Sequence, residues 1–205
     1  MINDLAEHKL RIVDRDDDTV LDLAPLQGLW TEEQYIAMTN FSRRLLEFAD
    51  GAMEVLPMPT PRHQKILALL YRSFFVIVQA MGGIVLFAPL RVQVRPGKYR
   101  EPDLVVLCDA ADPRQDERFW QGADLVVEIV SPDDPERDTV TKRLDYAMAH
   151  IPEYWIVDPA QQTITVLTLV EDVYVEYGVF GRGEVASSLL LTGLDIDVTS
   201  VLDAG

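Results

Sequence analysis

Apolar positions along the chain change their period at recognisable boundaries, and each period predicts one kind of element. Thr31, followed three residues later by Gln34, has the pattern of a capped helix start and predicts a short helix through about Met38. Thr60-Pro61 and Gly82-Gly83 are typical start and stop signals for a helix. The stretch between them has apolar residues at helical spacing, so we predict one long helix there.

Shorter apolar runs predict strands. The runs 45–48 and 53–56 flank Asp50-Gly51, a dipeptide that favours the positive backbone angles of a tight hairpin turn. Further strands are predicted at 84–94, 102–107, 125–130, 153–158, 162–169 and 173–180, the last two as an antiparallel pair, with a helix at about 136–149. Strands interleaved with a few helices predict an α/β fold, a mixed β-sheet flanked by helices.

Length and composition favour one folded domain after a short extension. With 205 residues, we expect an acidic N-terminal extension over 1–30, containing Asp14 and Asp16-Asp17-Asp18, and one domain over 31–205. The single cysteine, Cys108, excludes an intramolecular disulfide. Residues 1–10 lack the pattern of a secretory signal, and Gln79 and Gly82-Gly83 interrupt the apolar stretch 73–90, so a cytoplasmic protein without a membrane span is expected.

The net charge of −16, from 18 basic and 34 acidic residues, excludes long-range attraction to a polyanion. It counts against avid non-specific DNA binding, but a local basic surface remains compatible with it. Arg91, Arg95, Lys98 and Arg100 cluster around the Pro96-Gly97 turn and could form such a surface. The alternative is an ordinary solvated, charged hairpin end.

Glu128 is the most informative residue for chemistry, because it interrupts an apolar run that should be a central strand. A carboxylate there is costly unless it is paired or bound to a metal ion. The alternative is a strand-end glutamate that reaches solvent or an arginine. If the strands carrying Asp103 and Glu128 are neighbours, the two carboxylates could hold one hard cation such as Mg²⁺ or Mn²⁺.

Asp138, Lys142 and Tyr146 follow at intervals of four residues and therefore share one face of the predicted helix. One interpretation is a surface ion pair beside a half-buried tyrosine. The other directs Lys142 at the two carboxylates, where an ammonium group could orient the attacking water or neutralise charge that develops on a phosphate. Two acids, a lysine and a metal ion together favour phosphodiester hydrolysis.

These motifs resemble the Uma-two family of restriction endonucleases, which belongs to the PD-(D/E)XK nuclease superfamily. The resemblance covers about 31–202 and is carried by Pro102-Asp103, Glu128-Ile129-Val130-Ser131-Pro132, Asp138, Lys142, Tyr146 and Glu153-Tyr154-Trp155-Ile156-Val157-Asp158. It implies a restriction-endonuclease-like fold, with Asp103 as the first acid of the site and Glu128 as the second.

The resemblance also assigns the remaining site residues. Val130 stands where the superfamily has a lysine, and Lys142 of the following helix matches the position from which this family supplies it. Glu47 and His63 match recurring family positions, where either could complete the metal shell or position a water. For His63, a locally bonded histidine at a helix start is an equal alternative.

Two functions are compatible with these patterns. The first is a metal-dependent endonuclease, using Mg²⁺ or Mn²⁺, that hydrolyses DNA as a homodimer. The second is a catalytically inactive nuclease-like module that binds or regulates a partner, which the −16 charge and Val130 favour.

Overall fold

The computed structural model of the protein describes residues 11–13, 20–42 and 44–204. The acidic residues of the predicted extension, Asp14 and Asp16-Asp17-Asp18, lie outside the described residues. Within these residues the four α-helices are α1 (Glu32–Thr39), α2 (Pro61–Ala80), α3 (Lys142–Met148) and α4 (Val198–Asp203), with a 3₁₀ turn at Ala24–Leu26 and a π-helical turn at Arg137–Thr141.

Short strands occur along the whole described chain. In chain order they are β1 (Arg11–Val13), β2 (Val20–Asp22), β3 (Leu46–Ala49), β4 (Ala52–Val55), β5 (Ile84–Phe87), β6 (Val92–Arg95), β7 (Lys98–Arg100), β8 (Leu104–Leu107), β9 (Leu125–Ile129), β10 (Glu153–Asp158), β11 (Thr163–Val170), β12 (Val173–Phe180), β13 (Val185–Ser187) and β14 (Asp195–Asp197). They are divided between two compact units, residues 1–58 with 97–99, and residues 59–96 with 100–205.

The first unit is built around the predicted hairpin. β3 and β4 pair antiparallel, and Asp50 and Gly51 adopt the positive φ values, 49° and 83°, that the tight turn requires. A Cβ on Gly51 would lie 2.5 Å from the Gly28 carbonyl oxygen, so only glycine fits there. The predicted capping box of α1 is confirmed, and Tyr35 of this helix stacks on Phe48 of β3.

The second unit contains a six-stranded mixed sheet in the order β12-β11-β10-β9-β8-β5. Only β9 and β10 are parallel, and the other neighbours are antiparallel. The prediction of a mixed sheet flanked by helices is therefore confirmed. So are the strands near 153–158, 162–169 and 173–180, and the antiparallel pairing of the last two.

Each face of this sheet has its own core. One core joins α2 to the sheet through residues such as Leu70, Phe74 and Trp155, and includes the segment around α4. The other lies beneath α3 and includes Tyr146 and Tyr154. Residues of β8 and β9 alternate between the two cores, as expected of central strands covered on both faces.

Three element boundaries differ from prediction. The single strand expected at 84–94 is two strands, because Pro89 lacks the N–H that an uninterrupted strand needs. β8 begins at Leu104 rather than at 102, and the helix expected at 136–149 is the π-helical turn followed by α3. The long helix is confirmed, and no helix in the described part of the chain is long and apolar enough to cross a bilayer.

Candidate active site

Of the two candidate acids in the second unit, Asp103 directly precedes β8 and Glu128 lies on the adjacent strand β9. β8 and β9 pair antiparallel with Leu104 opposite Val127, so continuing this register by one residue places Asp103 opposite Glu128. The Ile129 N–H donates a hydrogen bond to Asp103 Oδ2 at 2.8 Å, which fixes the aspartate against β9. The backbone segments that carry the two acids are therefore neighbours in the fold.

Glu128 occupies a core position rather than a strand end. Its neighbours Val126 and Val130 belong to the core beneath α3, and alternation directs the Glu128 side chain towards the same face. Only 4% of the side chain is exposed. A carboxylate at this depth needs partners of opposite charge or hydrogen-bond donors.

Lys142, the first residue of α3, provides the opposite charge. Its Nζ lies 2.8 Å from Glu128 Oε1 and 3.2 Å from a carboxylate oxygen of Asp138. The lysine side chain is 3% exposed, so this is a buried ion cluster and not the surface pair considered as an alternative. The ammonium group contacts Glu128, one of the two acids at which it was predicted to point, and Asp138 rather than Asp103.

Two tyrosines complete the surroundings of the cluster. The Tyr146 hydroxyl, one helical turn beyond Lys142, donates to Glu128 Oε1 at 2.5 Å. The Tyr154 hydroxyl donates to the backbone carbonyl of Asp138 at 2.7 Å and thereby holds the π-helical turn against β10. Burial, followed by the charge of Glu128, raises the pKa of Tyr154 well above its ordinary value, so this hydroxyl stays protonated and remains a donor.

His63 approaches the site from the opposite core. Thr60 Oγ1 accepts the His63 backbone N–H and thereby starts α2 so that the imidazole lies in its first turn. His63 Nε2 lies 3.1 Å from Asp103 Oδ2. Burial acts to lower the pKa of His63, but the hydrogen bond and charge of Asp103 outweigh it, so the pKa lies above its ordinary value.

The donor set fits a hard cation that keeps part of its shell as water or phosphate. Asp103 Oδ2 accepts two hydrogen bonds, whereas its Oδ1 accepts none from the described residues. His63 Nδ1 is also buried without a partner among them. No group of three or more His, Cys, Asp or Glu in metal-binding arrangement occurs in the described part of the chain. Two carboxylates are what Mg²⁺ commonly takes from a protein when substrate phosphate supplies further ligands.

The remaining predicted residues are placed as follows. Glu47 lies in the first unit, on β3 opposite Glu54, with a fully buried side chain. Val130 is buried in the core beneath α3, so the fold has no room there for a solvated lysine. Arg100, grouped in sequence with an exposed basic turn, is instead buried and binds Asp145 through contacts of 2.7 and 2.8 Å.

Three features of this neighbourhood were not predicted from the sequence. Tyr146, half-buried in one of the two interpretations, is fully buried and bonded to Glu128. The Asp138–Lys142 pair, which that interpretation placed at the surface, is buried. The Arg100–Asp145 ion pair joins residues 45 apart in the chain and has no local sequence signal.

Comparison with known proteins identifies the family and the fold. Residues 32–199 match the Uma2 family, described as "putative restriction endonuclease". Among solved structures, a "putative nuclease belonging to DUF820" from Anabaena variabilis superposes with a TM-score of 0.65 at 18% identity, covering 82% of this chain and 97% of that one. This likeness confirms the predicted restriction-endonuclease-like fold. No curated protein matches the chain. Because the family match spans most of its length, the chain belongs to the Uma2 (Uma-two) family of restriction-endonuclease-like proteins.

Proposed function

We propose that the protein is a metal-dependent endonuclease that hydrolyses phosphodiester bonds in DNA. The observation that carries this proposal is the buried contact of 2.8 Å between Lys142 Nζ and Glu128 Oε1, on a strand whose register sets Glu128 opposite Asp103. Membership of a restriction-endonuclease-like family supports it. Asp103 and Glu128 would hold Mg²⁺ or Mn²⁺, which when bound polarises the phosphoryl oxygen and acidifies a coordinated water.

In this mechanism Lys142 supplies positive charge where negative charge grows on the phosphoryl group. The ammonium is held between two carboxylates in a site from which water is largely excluded, so its direction is fixed before substrate binds. It also donates a hydrogen bond that can orient the attacking water. Tyr146 donates to the same Glu128 Oε1 from a second direction, so the orientation of the carboxylate is restrained by two donors.

His63 acts at the accessible end of the site. The side chains of His63 and Asp103 are 16% and 14% exposed, whereas those of Glu128 and Lys142 are 4% and 3% exposed. Substrate therefore approaches from the His63 side. An imidazole bonded to Asp103 Oδ2 orients that carboxylate and can hold a proton beside the phosphate.

The test is cleavage of supercoiled plasmid in Mg²⁺ and in Mn²⁺ by the native chain and by Asp103→Asn, Glu128→Gln and Lys142→Met. Loss of one of these groups should lower the cleavage rate by at least about 100-fold. The matched control is Asp172→Asn, which removes a carboxylate that is 85% exposed and lies outside the site. Circular dichroism would establish that each variant is folded.

Equal cleavage by all five proteins would contradict the proposal. So would a native chain that neither cuts DNA nor binds Mn²⁺ in a calorimetric titration. That second result would instead favour the inactive binding or regulatory module, which Val130 and the net charge of −16 also favour.

Homodimerisation belongs to the same proposal, and one edge of the six-stranded sheet offers a surface for it. β12 is the outermost strand of the six-stranded sheet, and Val173 and Val179 on it are 61% and 51% exposed. Exposed apolar residues on an edge strand favour pairing with a second copy. Light scattering should give twice the chain mass of 23.1 kDa, and a monomer at working concentration would contradict the expectation.

A further inference from the structure

We propose that the exposed face of α2, together with Phe87 of β5, binds a single strand of DNA and leads it to Asp103. The proposal rests on the nuclease function above and deepens it by naming the form of the substrate. Three independent features of the second unit carry it: the distribution of charge, a group of exposed aromatic rings, and the position of both beside the accessible end of the site.

Charge is distributed very unevenly along the chain. From Val55 to Arg100 there is no aspartate or glutamate, yet this stretch holds seven of the 18 basic residues. All 34 acidic residues lie elsewhere. A protein with a net charge of −16 therefore contains one long segment that is purely cationic, and α2 lies within it. Arg100 of this segment is buried against Asp145, but the cations on α2 have no acidic residue next to them in the chain, so a polyanion would be attracted to that helix.

The cations of α2 share one face. At 100° per residue, Arg62, Lys65 and Arg72 fall within an arc of about 80° on the side opposite Leu70 and Phe74, which are buried. All three cations are exposed. Arg62 and Arg72 are separated by about 15 Å along the axis, the length of about four nucleotides at the 3.4 Å spacing of one strand in B-form DNA. The spacing suits consecutive phosphates.

Aromatic rings flank this basic face. Tyr71 contacts Phe75 and Phe87, with ring centroids 5.7 and 5.1 Å apart. Phe75 is 38% exposed and Phe87 is 50% exposed, which is unusual for phenylalanine. Rings presented to solvent beside cations are the combination that binds unpaired bases by stacking. In a duplex the bases are stacked inside, so the rings favour a single strand.

The aromatic rings lie next to the candidate site. Phe87 pairs with Leu104, the residue after Asp103, and the Ala88 N–H donates to the Asp103 carbonyl oxygen at 3.2 Å. The first turn of α2 contacts the same aspartate through His63. A strand that stacks on Phe87 and follows α2 towards its N-terminus therefore reaches the end of the site that is open to solvent.

The experiment measures fluorescence anisotropy of a labelled oligothymidylate and of a duplex of equal length, in EDTA so that no cleavage occurs. The triple variant Arg62→Gln/Lys65→Gln/Arg72→Gln should bind the single strand at least tenfold more weakly. Its salt dependence, the slope of log K against log salt concentration, should fall by about 2, because each lost phosphate contact removes about 0.7 on a single strand. Native protein should prefer the single strand.

A second triple variant controls for net charge. Arg44→Gln/Arg118→Gln/Arg182→Gln removes three cations from outside α2 and should leave the affinity within about twofold. Phe87→Leu keeps an apolar side chain but removes the ring, and should weaken single-strand binding about 5- to 100-fold without affecting the duplex. Equal loss of affinity in the two triple variants, or no effect of Phe87→Leu, would overturn the proposal.

The experiments distinguish an error in the proposed binding surface from an error in the proposed nuclease activity. Native protein that binds the single strand as described but never cuts DNA would refute only the enzymatic activity. Native protein that cuts plasmid, with the α2 triple variant and Phe87→Leu binding and cutting equally well, would refute only the binding surface.

Discussion

Replacing Lys142 with methionine tests the central geometry most directly, because the two side chains have similar volume and differ in the ammonium group. The change opens little cavity, so its cost is electrostatic. It leaves Glu128 and Asp138 buried, with side chains 4% and 6% exposed, and without the cation that lies 2.8 and 3.2 Å from them. Removing one partner of a buried ion pair costs about 3–5 kcal/mol of unfolding free energy.

Tyr146 still donates to Glu128 in this variant, so one hydrogen bond to the carboxylate remains. The loss should nevertheless reach about 3 kcal/mol, since Asp138 loses its ion-pair partner at the same time. For a chain of this size, that corresponds to a fall in melting temperature of about 6–12 °C. Urea unfolding in EDTA, followed by tryptophan fluorescence, measures the free energy without a metal ion that could replace the ammonium.

The matched control is Lys65→Met, which removes an exposed lysine of α2 and should change stability by less than about 0.5 kcal/mol. The double variant Glu128→Gln/Lys142→Met should recover part of the loss, because the neutral amide no longer needs a cation. A Lys142→Met protein as stable as Lys65→Met would show that the buried ion cluster does not exist as described.

Three further predictions concern other buried polar groups. Burial, with the Asp124 carboxylate, raises the pKa of Cys108 to about 11, so alkylation at pH 8 should be about 100-fold slower than for a thiol at the ordinary value of 9.0, and should accelerate up to pH 11; an iodoacetamide time course checks this. Arg100→Met should lower the free energy of unfolding in urea by about 3–5 kcal/mol, because it removes the buried cation that binds Asp145, and Asp145→Leu in that background should restore much of it. Glu153→Gln should lower the free energy of unfolding by about 1–3 kcal/mol, because the new amide nitrogen faces groups that donate hydrogen bonds to the native carboxylate; an unchanged free energy of unfolding would contradict this prediction.

The elements that local sequence determines were predictable. The capped start of α1, the Asp50-Gly51 turn and the start of α2 at Thr60-Pro61 depend on residues within a few positions of one another, and the structure contains all three. The break at Pro89 was visible in the sequence but outweighed by the apolar run around it. The π-helical turn before α3 was not predictable, because it depends on the Tyr154 hydroxyl bonding to Asp138 from a distant strand.

The candidate site was predictable as far as its residues share a strand or a helix. Helical spacing grouped Asp138, Lys142 and Tyr146. Asp103 and Glu128 were joined by the family resemblance and on the condition that their strands are neighbours. The sequence did not predict how deeply these side chains are buried. Tyr146 and Lys142 are buried because α3 packs directly over Glu128, and that packing depends on the whole core beneath the helix.

Glu153 is similar to Glu128 in sequence, because each is an acidic residue in an apolar strand. It is 1% exposed, but its oxygens accept the Trp155 indole N–H, the Ser188 hydroxyl and the backbone N–H groups of Leu189 and Leu190, at 2.6 to 2.9 Å. Neutral donors that are fixed in the fold bind this carboxylate fully and tie the 188–190 segment to β10.

Glu128 differs because its partners are a lysine and a tyrosine from one helix, and because an aspartate with an uncommitted oxygen lies on the adjacent strand. A carboxylate that accepts its hydrogen bonds from fixed backbone amides is stable in the core without a ligand. A carboxylate balanced by a lysine beside a second acid can exchange part of that balance for a metal ion and a phosphate. The kind of donor around a buried acid, rather than the acid itself, therefore separates the structural glutamate of this sheet from the one proposed to act in catalysis.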